Sequence, residues 1–162
     1  MAETINEIIT TVRLDYTHTA GRAQNRFLTG LIEGKIRGQR CPSCKKVYVP
    51  PRGSCAICAV PTEEEVEVAD KGTVTTFCIV NLQFHGQAVE IPYVCGSVLL
   101  DGADLPFFGM LAGVEVDKVH MGQRVQAVWL PPEERKASFD NIRYFEPIDE
   151  PDAPFDSYKD HL

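Results

Sequence analysis

No run of apolar residues in this 162-residue chain is long enough to cross a bilayer. The longest, such as "YVCGSVLL" at 93–100, are strand-length, whereas a spanning helix needs about 20 residues. The opening "MAETINEIITTVRLD" has neither a basic start nor an apolar stretch, which predicts no secretion signal and a cytoplasmic location. Catalytic signatures are equally scarce. The four histidines, His18, His85, His120 and His161, are scattered, with no H-E-x-x-H pair, and no serine lies in G-x-S-x-G. There is no phosphate loop and no G-x-G-x-x-G turn. His85 and Glu90 flank the segment "QFHGQAVEIP" and form a proton-transfer pair in principle. A polar connecting loop is expected simply to be solvated. What is missing makes the chain read as a shaped adaptor more than as an enzyme.

Charge is present but sorted by position. The formal net charge is −7, from 23 acids and 16 Lys and Arg. From Glu146 to Leu162 six acids stand against Lys159 alone. Between Lys35 and Arg52 there are six cations, Lys35, Arg37, Arg40, Lys45, Lys46 and Arg52, and no acid. The overall acidity is therefore not a statement about any one surface.

Along the chain, residues 1–15 show no clear period. From Thr17 to Glu33 the apolar residues Ala20, Ala23, Phe27 and Leu31 fall three or four apart, which predicts an amphipathic helix. Gly34 is its expected stop, because glycine readily takes the left-handed conformation that ends helices. Gly30, Gly34 and Gly38 recur every four residues; fraying and a turn are expected there, with a close packing face as the alternative. An acidic connector, "TEEEVEVAD", follows the cysteines. Beyond Gly72, short β-type runs lie between turn residues, giving five expected strands at 73–80, 93–100, 106–112, 124–130 and 141–147. These spacings point to a small antiparallel barrel of the five-stranded OB type, with a small sandwich as the second choice. Cys78 and Cys95, flanked by apolar residues within two of these strands, are expected to be buried core thiols. The tail from 148 to 162 carries too few apolar groups to offset its ordering entropy and is expected to be disordered. Phe155 and Tyr158 are its exceptions, candidate anchors that order on a partner.

Cys41-x-x-Cys44 and Cys55-x-x-Cys58, ten residues apart, have the spacing of a two-knuckle zinc site. Each C-x-x-C turn aims two thiolates at one point, and Zn²⁺ accepts a tetrahedron of four. No coordination position is left for water, so the expected ion is structural, one per chain. Four thiolates and Zn²⁺ sum to two negative charges, which Arg40, Lys45, Lys46 and Arg52 are placed to balance. Iron in the same cage, as in an electron carrier, is the competing reading of the ligands. The organisation expected is thus mainly β: an N-terminal extension and helix (1–34), a four-Cys zinc ribbon (35–62), an OB-type barrel (63–147) and an acidic tail (148–162).

The run "FLTGLIEGKIRGQRCPSCKKVYVPPRGSCAIC", with "PPR" at 50–52 and barrel segments such as "MGQRVQAVW", resembles the DUF35 family over residues 20–147. That family joins a rubredoxin-like zinc ribbon to an OB-fold and is associated with acyl-CoA metabolism. The resemblance implies a non-catalytic subunit pairing with a thiolase-like protein. Such partners include acetyl-transferring thiolases, hydroxymethylglutaryl-CoA synthase, and lipid-transfer-type thiolases acting as aldolases on steroid side-chain CoA thioesters. It also offers a second use for Arg37, Arg40, Lys45, Lys46 and Arg52, as contacts for the phosphates of an acyl-CoA. A nucleic-acid binder is the alternative function, since zinc ribbons and OB barrels both serve that role. The acidic total and the lack of an alternating aromatic and basic strand pattern argue against it.

Overall fold

The computed structural model describes residues 7–10 and 12–162; the first six residues of the N-terminal extension, and residue 11, lie outside the description. Helix α1 spans Arg22–Glu33 and begins at Gly21, whose extended backbone (φ −65°, ψ 168°) forms its N-cap. It starts later than Thr17 because residues 17–19 are exposed and find no apolar surface to bury against. Phe27 and Leu31 carry its buried face. Gly34 ends it in the left-handed region (φ 76°), and the next amide, Lys35 N–H, donates back to Gly30 O at 2.8 Å. That return leaves no room for a side chain on Gly30, whose Cβ would lie 2.9 Å from Lys35 O. Gly34 is thus the expected turn, and Gly30 is a close approach.

Three strands follow as one antiparallel sheet, in the order β2-β1-β3: β1 (Ile36–Arg40), β2 (Val47–Tyr48) and β3 (Glu64–Val68). The expected acidic connector is therefore a strand. Pairing of Arg37 with Glu67 and of Arg40 with Glu64 explains why: opposite charges face one another across the ladder. This sheet runs to Val68, past the expected boundary at 62.

The remaining strands, β4 (Lys71–Val80), β5 (Tyr93–Leu100), β6 (Phe107–Leu111), β7 (Arg124–Trp129) and β8 (Ile142–Pro147), close into a barrel in the order β4-β5-β6-β8-β7. The ring is sealed by β4 against β7, with Lys71 opposite Gln126, which excludes the sandwich. Four strand pairs are antiparallel, and β6 meets β8 in parallel at Leu111 and Phe145. Strict alternation along β5 sends Val94, Gly96, Val98 and Leu100 inward.

The larger of two buried clusters joins helix, ribbon sheet and barrel, the smaller lying around Cys41, Tyr48 and Cys55. Phe27, Leu31 and Ile36 pack in the same cluster as Val74, Val98, Phe107 and Phe145 of the barrel. The Phe27 ring lies 5.4 Å from Phe139 and 6.5 Å from Phe107. Asp104 in the β5–β6 turn also ties the two sheets together. Its carboxylate accepts Val47 N–H at 2.7 Å, and its own N–H donates to Val47 O at 2.9 Å.

The tail corrects the expectation of disorder. Residues 148–162 lie along the barrel with two short 3-10 turns, Phe155–Ser157 and Lys159–His161. Ala153 N–H donates to Gly122 O at 2.8 Å, and Tyr158 is only 5 % exposed. The acids that make the tail look disordered in isolation meet cations of the barrel. Glu150 takes Lys71 at 2.6 Å and Arg124 at 3.0 Å, and Asp152 takes His120 Nε2 at 2.9 Å. His161 Nδ1 reaches Asp104 O at 2.9 Å. Arg124, which also clasps Asp101 through both carboxylate oxygens, is the centre of this network.

Candidate functional site

The two cysteine pairs fold as near-copies of one loop. In the first, Cys41 N–H donates to Lys46 O (2.9 Å), Lys45 N–H to Cys41 O (3.1 Å) and Cys44 N–H to Cys41 Sγ (3.4 Å). In the second, Cys55 N–H donates to Val60 O (2.9 Å), Ala59 N–H to Cys55 O (3.0 Å) and Cys58 N–H to Cys55 Sγ (3.3 Å). The residue after each second cysteine carries a positive φ, 66° at Lys45 and 54° at Ala59, although neither is glycine. Both loops therefore hold a strained residue at the same step, which turns the chain back beneath the sulfurs.

The four Sγ atoms lie within 4.8 Å of one another, and Cys44 Sγ and Cys55 Sγ are 3.7 Å apart. With Zn–S bonds of about 2.3 Å, a tetrahedral cage puts sulfurs roughly 3.8 Å apart. The donor set and spacing thus fit a tetrahedral thiolate-bound metal. Cys41 and Cys55 are buried, with Tyr48, Val60 and Leu105 packed around them, so the site is closed on its inner side. Tyr48 hydroxyl lies 3.1 Å from Cys55 Sγ. That contact, with knuckle amides and Cys41 adding to it against burial, draws the Cys55 thiol down to about 6. At Cys44 the Lys46 amide pulls the other way, but burial and the three neighbouring sulfurs push the thiol up to about 11. A dication bound among the four sulfurs would hold all of them as thiolates.

Of the candidate phosphate contacts, Arg37 pairs with Glu33 and Arg40 with Glu64, while Lys35 pairs with Glu67. Lys45 Nζ donates to Pro42 O at 2.7 Å, within its own knuckle. Lys46 and Arg52 have no carboxylate partner among the described residues. β3 thus pairs with two of the six cations, Lys35 and Arg40, and α1 with a third, Arg37. These ion pairs are half-exposed, and such pairs contribute about 0–1 kcal/mol, too little to bar exchange for a phosphate. Phe155 remains exposed at the tail surface, but Tyr158 is buried against its own barrel and is no free anchor.

Cys78 and Cys95 correct a second expectation. They face each other across β4 and β5, but on the outside of the barrel, with Cys78 exposed and Cys95 half-buried. Flanking apolar residues suggested a core position, whereas the period of two places Val94 and Gly96 inward and Cys95 outward. Burial and the neighbouring Cys78 push the Cys95 thiol up. Met110 continues their row on β6, and Phe108 beside it is 69 % exposed. Beyond the bulge between Val74 and Thr76, the outward positions of these strands, Thr76, Cys78, Val80, Tyr93, Cys95, Ser97, Phe108 and Met110, carry no charge, whereas Lys71 at the start of β4 does. This uncharged strip, on a chain with 24 % charged residues, went unread in the sequence. His85 and Glu90 are both exposed in the β4–β5 loop, and no hydrogen bond joins them.

Comparison with known proteins accords with this architecture. Residues 29–63 match the model of the ChsH2 rubredoxin-like zinc ribbon domain, and residues 65–130 that of the ChsH2 C-terminal OB-fold domain. A DUF35 domain-containing scaffold protein of Methanocaldococcus jannaschii is 33 % identical over 94 residues, 57 % of this chain and 65 % of that protein. A probable enoyl-CoA hydratase alpha subunit of Thermomonospora curvata is 34 % identical over 93 residues, again 57 % of this chain but 28 % of that protein. The chain therefore spans less than two thirds of either relative. Among solved structures, the Ltp2-ChsH2(DUF35) aldolase matches with TM-score 0.61 and 26 % identity, covering 81 % of this chain and 98 % of that one. A DUF35 protein of unknown function from Sulfolobus solfataricus matches in fold, with TM-score 0.61, 21 % identity and coverage of 79 % and 87 %. Ribbon, barrel and matches agree on one assignment: the chain belongs to the DUF35 family.

Proposed function

We propose that this chain is a non-catalytic subunit of a thiolase-like, acyl-CoA-processing complex, a carbon–carbon lyase or acyltransferase in the cytoplasm. The observation that carries the reading is the likeness to the DUF35 chain of the Ltp2-ChsH2 aldolase, matched over nearly its whole length. The uncharged outward strip across β4, β5 and β6 supports it, since solvent-facing strands of a solitary domain normally carry charge. Aldolase cleavage of steroid side-chain CoA thioesters is the specific activity we assign to such a complex.

In this reading the nucleophile and acid–base groups belong to the partner. Cys41, Cys44, Cys55 and Cys58 hold one structural Zn²⁺, which supplies cross-linking of the two knuckles and no open position for substrate. Arg37, Arg40, Lys45, Lys46 and Arg52 line the ribbon where phosphates of an acyl-CoA at a shared site would be met. Phe155 offers the tail's remaining aromatic contact. Pairing of Lys35, Arg37 and Arg40 with carboxylates halves the free basic run and weakens the case for nucleic-acid binding, for which steep salt dependence would be expected.

Co-expression with each thiolase-like protein of the same genome, followed by native mass measurement, tests the reading. A hetero-oligomer of fixed stoichiometry is expected with one of them. A chain that stays alone in every pairing, or that binds heparin or single-stranded DNA at low salt, would contradict it.

A further inference from the structure

Four of the six cysteines close the metal cage, and the other two, Cys78 and Cys95, meet on the barrel wall. They lie on either side of the β4–β5 loop, yet they are direct partners in the ladder between β4 and β5. Both side chains turn outward, Cys78 exposed and Cys95 half-buried. Among the described residues, no third His, Cys, Asp or Glu gathers with them as the cage cysteines gather with one another. The pair is therefore a dithiol, not part of a second cage.

The ladder sets what two thiols in this position can do. Asp101 N–H donates to Lys71 O at 2.9 Å, and Ser97 O accepts the Thr75 hydroxyl at 3.2 Å, so alternate residues of β5 turn their backbone groups toward β4. Cys95 continues that series, which makes Cys78 and Cys95 a hydrogen-bonded pair with Cα atoms about 5.5 Å apart. Disulfides span Cα separations of roughly 4.4–6.8 Å, so the backbone already stands at bonding distance. The Cβ atoms of such a pair are about 5.5 Å apart, against roughly 3.5–4.5 Å in a disulfide. Closure draws the strands together slightly, and a bond made that way is open to reduction. The two sulfurs are not equivalent. Cys78 is reached from solvent, whereas burial and the neighbouring Cys78 push the Cys95 thiol up, so Cys95 holds its proton longer. First attack falls to Cys78 and resolution to Cys95.

We propose that Cys78 and Cys95 are a reversible dithiol–disulfide site, separate from the metal cage, that exchanges with small-molecule disulfides such as oxidised glutathione. The Cys78 thiolate attacks one sulfur of the oxidant and forms a mixed disulfide; the expelled glutathione thiolate takes up the proton that Cys78 released. Cys95 then gives up its proton and attacks the Cys78 sulfur, and the second glutathione leaves with that proton. Two electrons and two protons pass to glutathione, and one S–S bond in the protein replaces the one in the oxidant. The new bond ties β4 to β5 across the uncharged strip. It also closes the β4–β5 loop, with its exposed Leu82 and Phe84, into a covalent ring. The site does not depend on the partner-subunit reading.

The test incubates the metal-loaded chain with oxidised glutathione, traps free thiols by alkylation and maps them by mass spectrometry, with metal content measured in parallel. The expected result is a Cys78–Cys95 link within one chain. It should form at a rate independent of protein concentration, leave the metal in place and reverse in excess reduced glutathione. Cys95→Ser should stop at glutathione on Cys78. In Cys78→Ser, the adduct on Cys95 should form at least about tenfold more slowly than that; equal rates would contradict the order of attack and with it the site. Separate adducts on both cysteines with no link, links between chains, or two thiols that stay free throughout would overturn the proposal. So would oxidation confined to the cage cysteines with release of the metal.

Discussion

At the scale of single residues, Lys45 and Ala59 show how much the cysteine cage asks of its backbone. Each takes a positive φ without being glycine, a conformation costing about 1–2 kcal/mol for an ordinary L-residue. Ala59→Gly relieves that strain but adds freedom to the unfolded chain, so the metal-loaded protein should be unchanged or up to about 1 kcal/mol more stable. Ala59→Val, branched at Cβ, should instead cost about 1–2 kcal/mol. Chemical denaturation of the three proteins separates these outcomes, and equal stability of all three would mean that the turn carries no strain. The four-cysteine cluster was legible in the sequence because C-x-x-C spacing is a local constraint. The strained step was not, since glycine is the residue that announces a positive φ and here it is absent. Tyr48 was likewise hidden, because its contact with Cys55 crosses the ribbon and depends on the pairing of β1 with β2.

At the scale of elements, the ribbon and the tail make separate predictions. Cys44→Ser, or removal of metal by a chelator, should open the amides of β1 and β2 to exchange, while those of β5 stay protected by the barrel. Unchanged protection in β1 after metal loss would remove the structural role of the site. The tail should respond to pH. The Lys118 carbonyl and the Asp152 carboxylate raise the His120 pKa above its ordinary 6.5. A raised histidine stabilises docking fully below 6.5 and ceases to as pH climbs through the raised value. Lys71 and then Arg124 lower the Glu150 pKa below its ordinary 4.5, so its contribution is complete above 4.5 and is lost as pH falls through the lowered value. Protection of the Ala153 amide, corrected for intrinsic exchange, should therefore be greatest between about 4.5 and 6.5 and decline toward pH 8. His120→Ala should abolish the alkaline decline; a decline that persists would assign it to another group. The barrel strands were readable from the chain because a period of two and turn residues are local. β3 and the tail were misread for one shared reason: their acids look like solvated charge until the cations facing them, Arg40, Lys71, Arg124 and His120, are brought in from distant sequence.

At the scale of the whole molecule, helix, ribbon and barrel share one core, and Phe27 lies where they meet. Phe27→Ala should cost about 3–5 kcal/mol and lower the stability of ribbon and barrel together in a single transition. Two separated transitions would show that the parts fold independently. The closed barrel, with the ribbon and the docked tail packed on it, presents an uncharged strip across β4, β5 and β6. The central claim is thus a division of labour between this chain and a catalytic partner. Its most direct test is the turnover of a panel of acyl-CoA thioesters by the purified chain, by the thiolase-like partner, and by the two together. The account predicts no turnover by this chain alone and turnover by the pair that exceeds the partner's own. Steady thioester turnover by the isolated chain would contradict it.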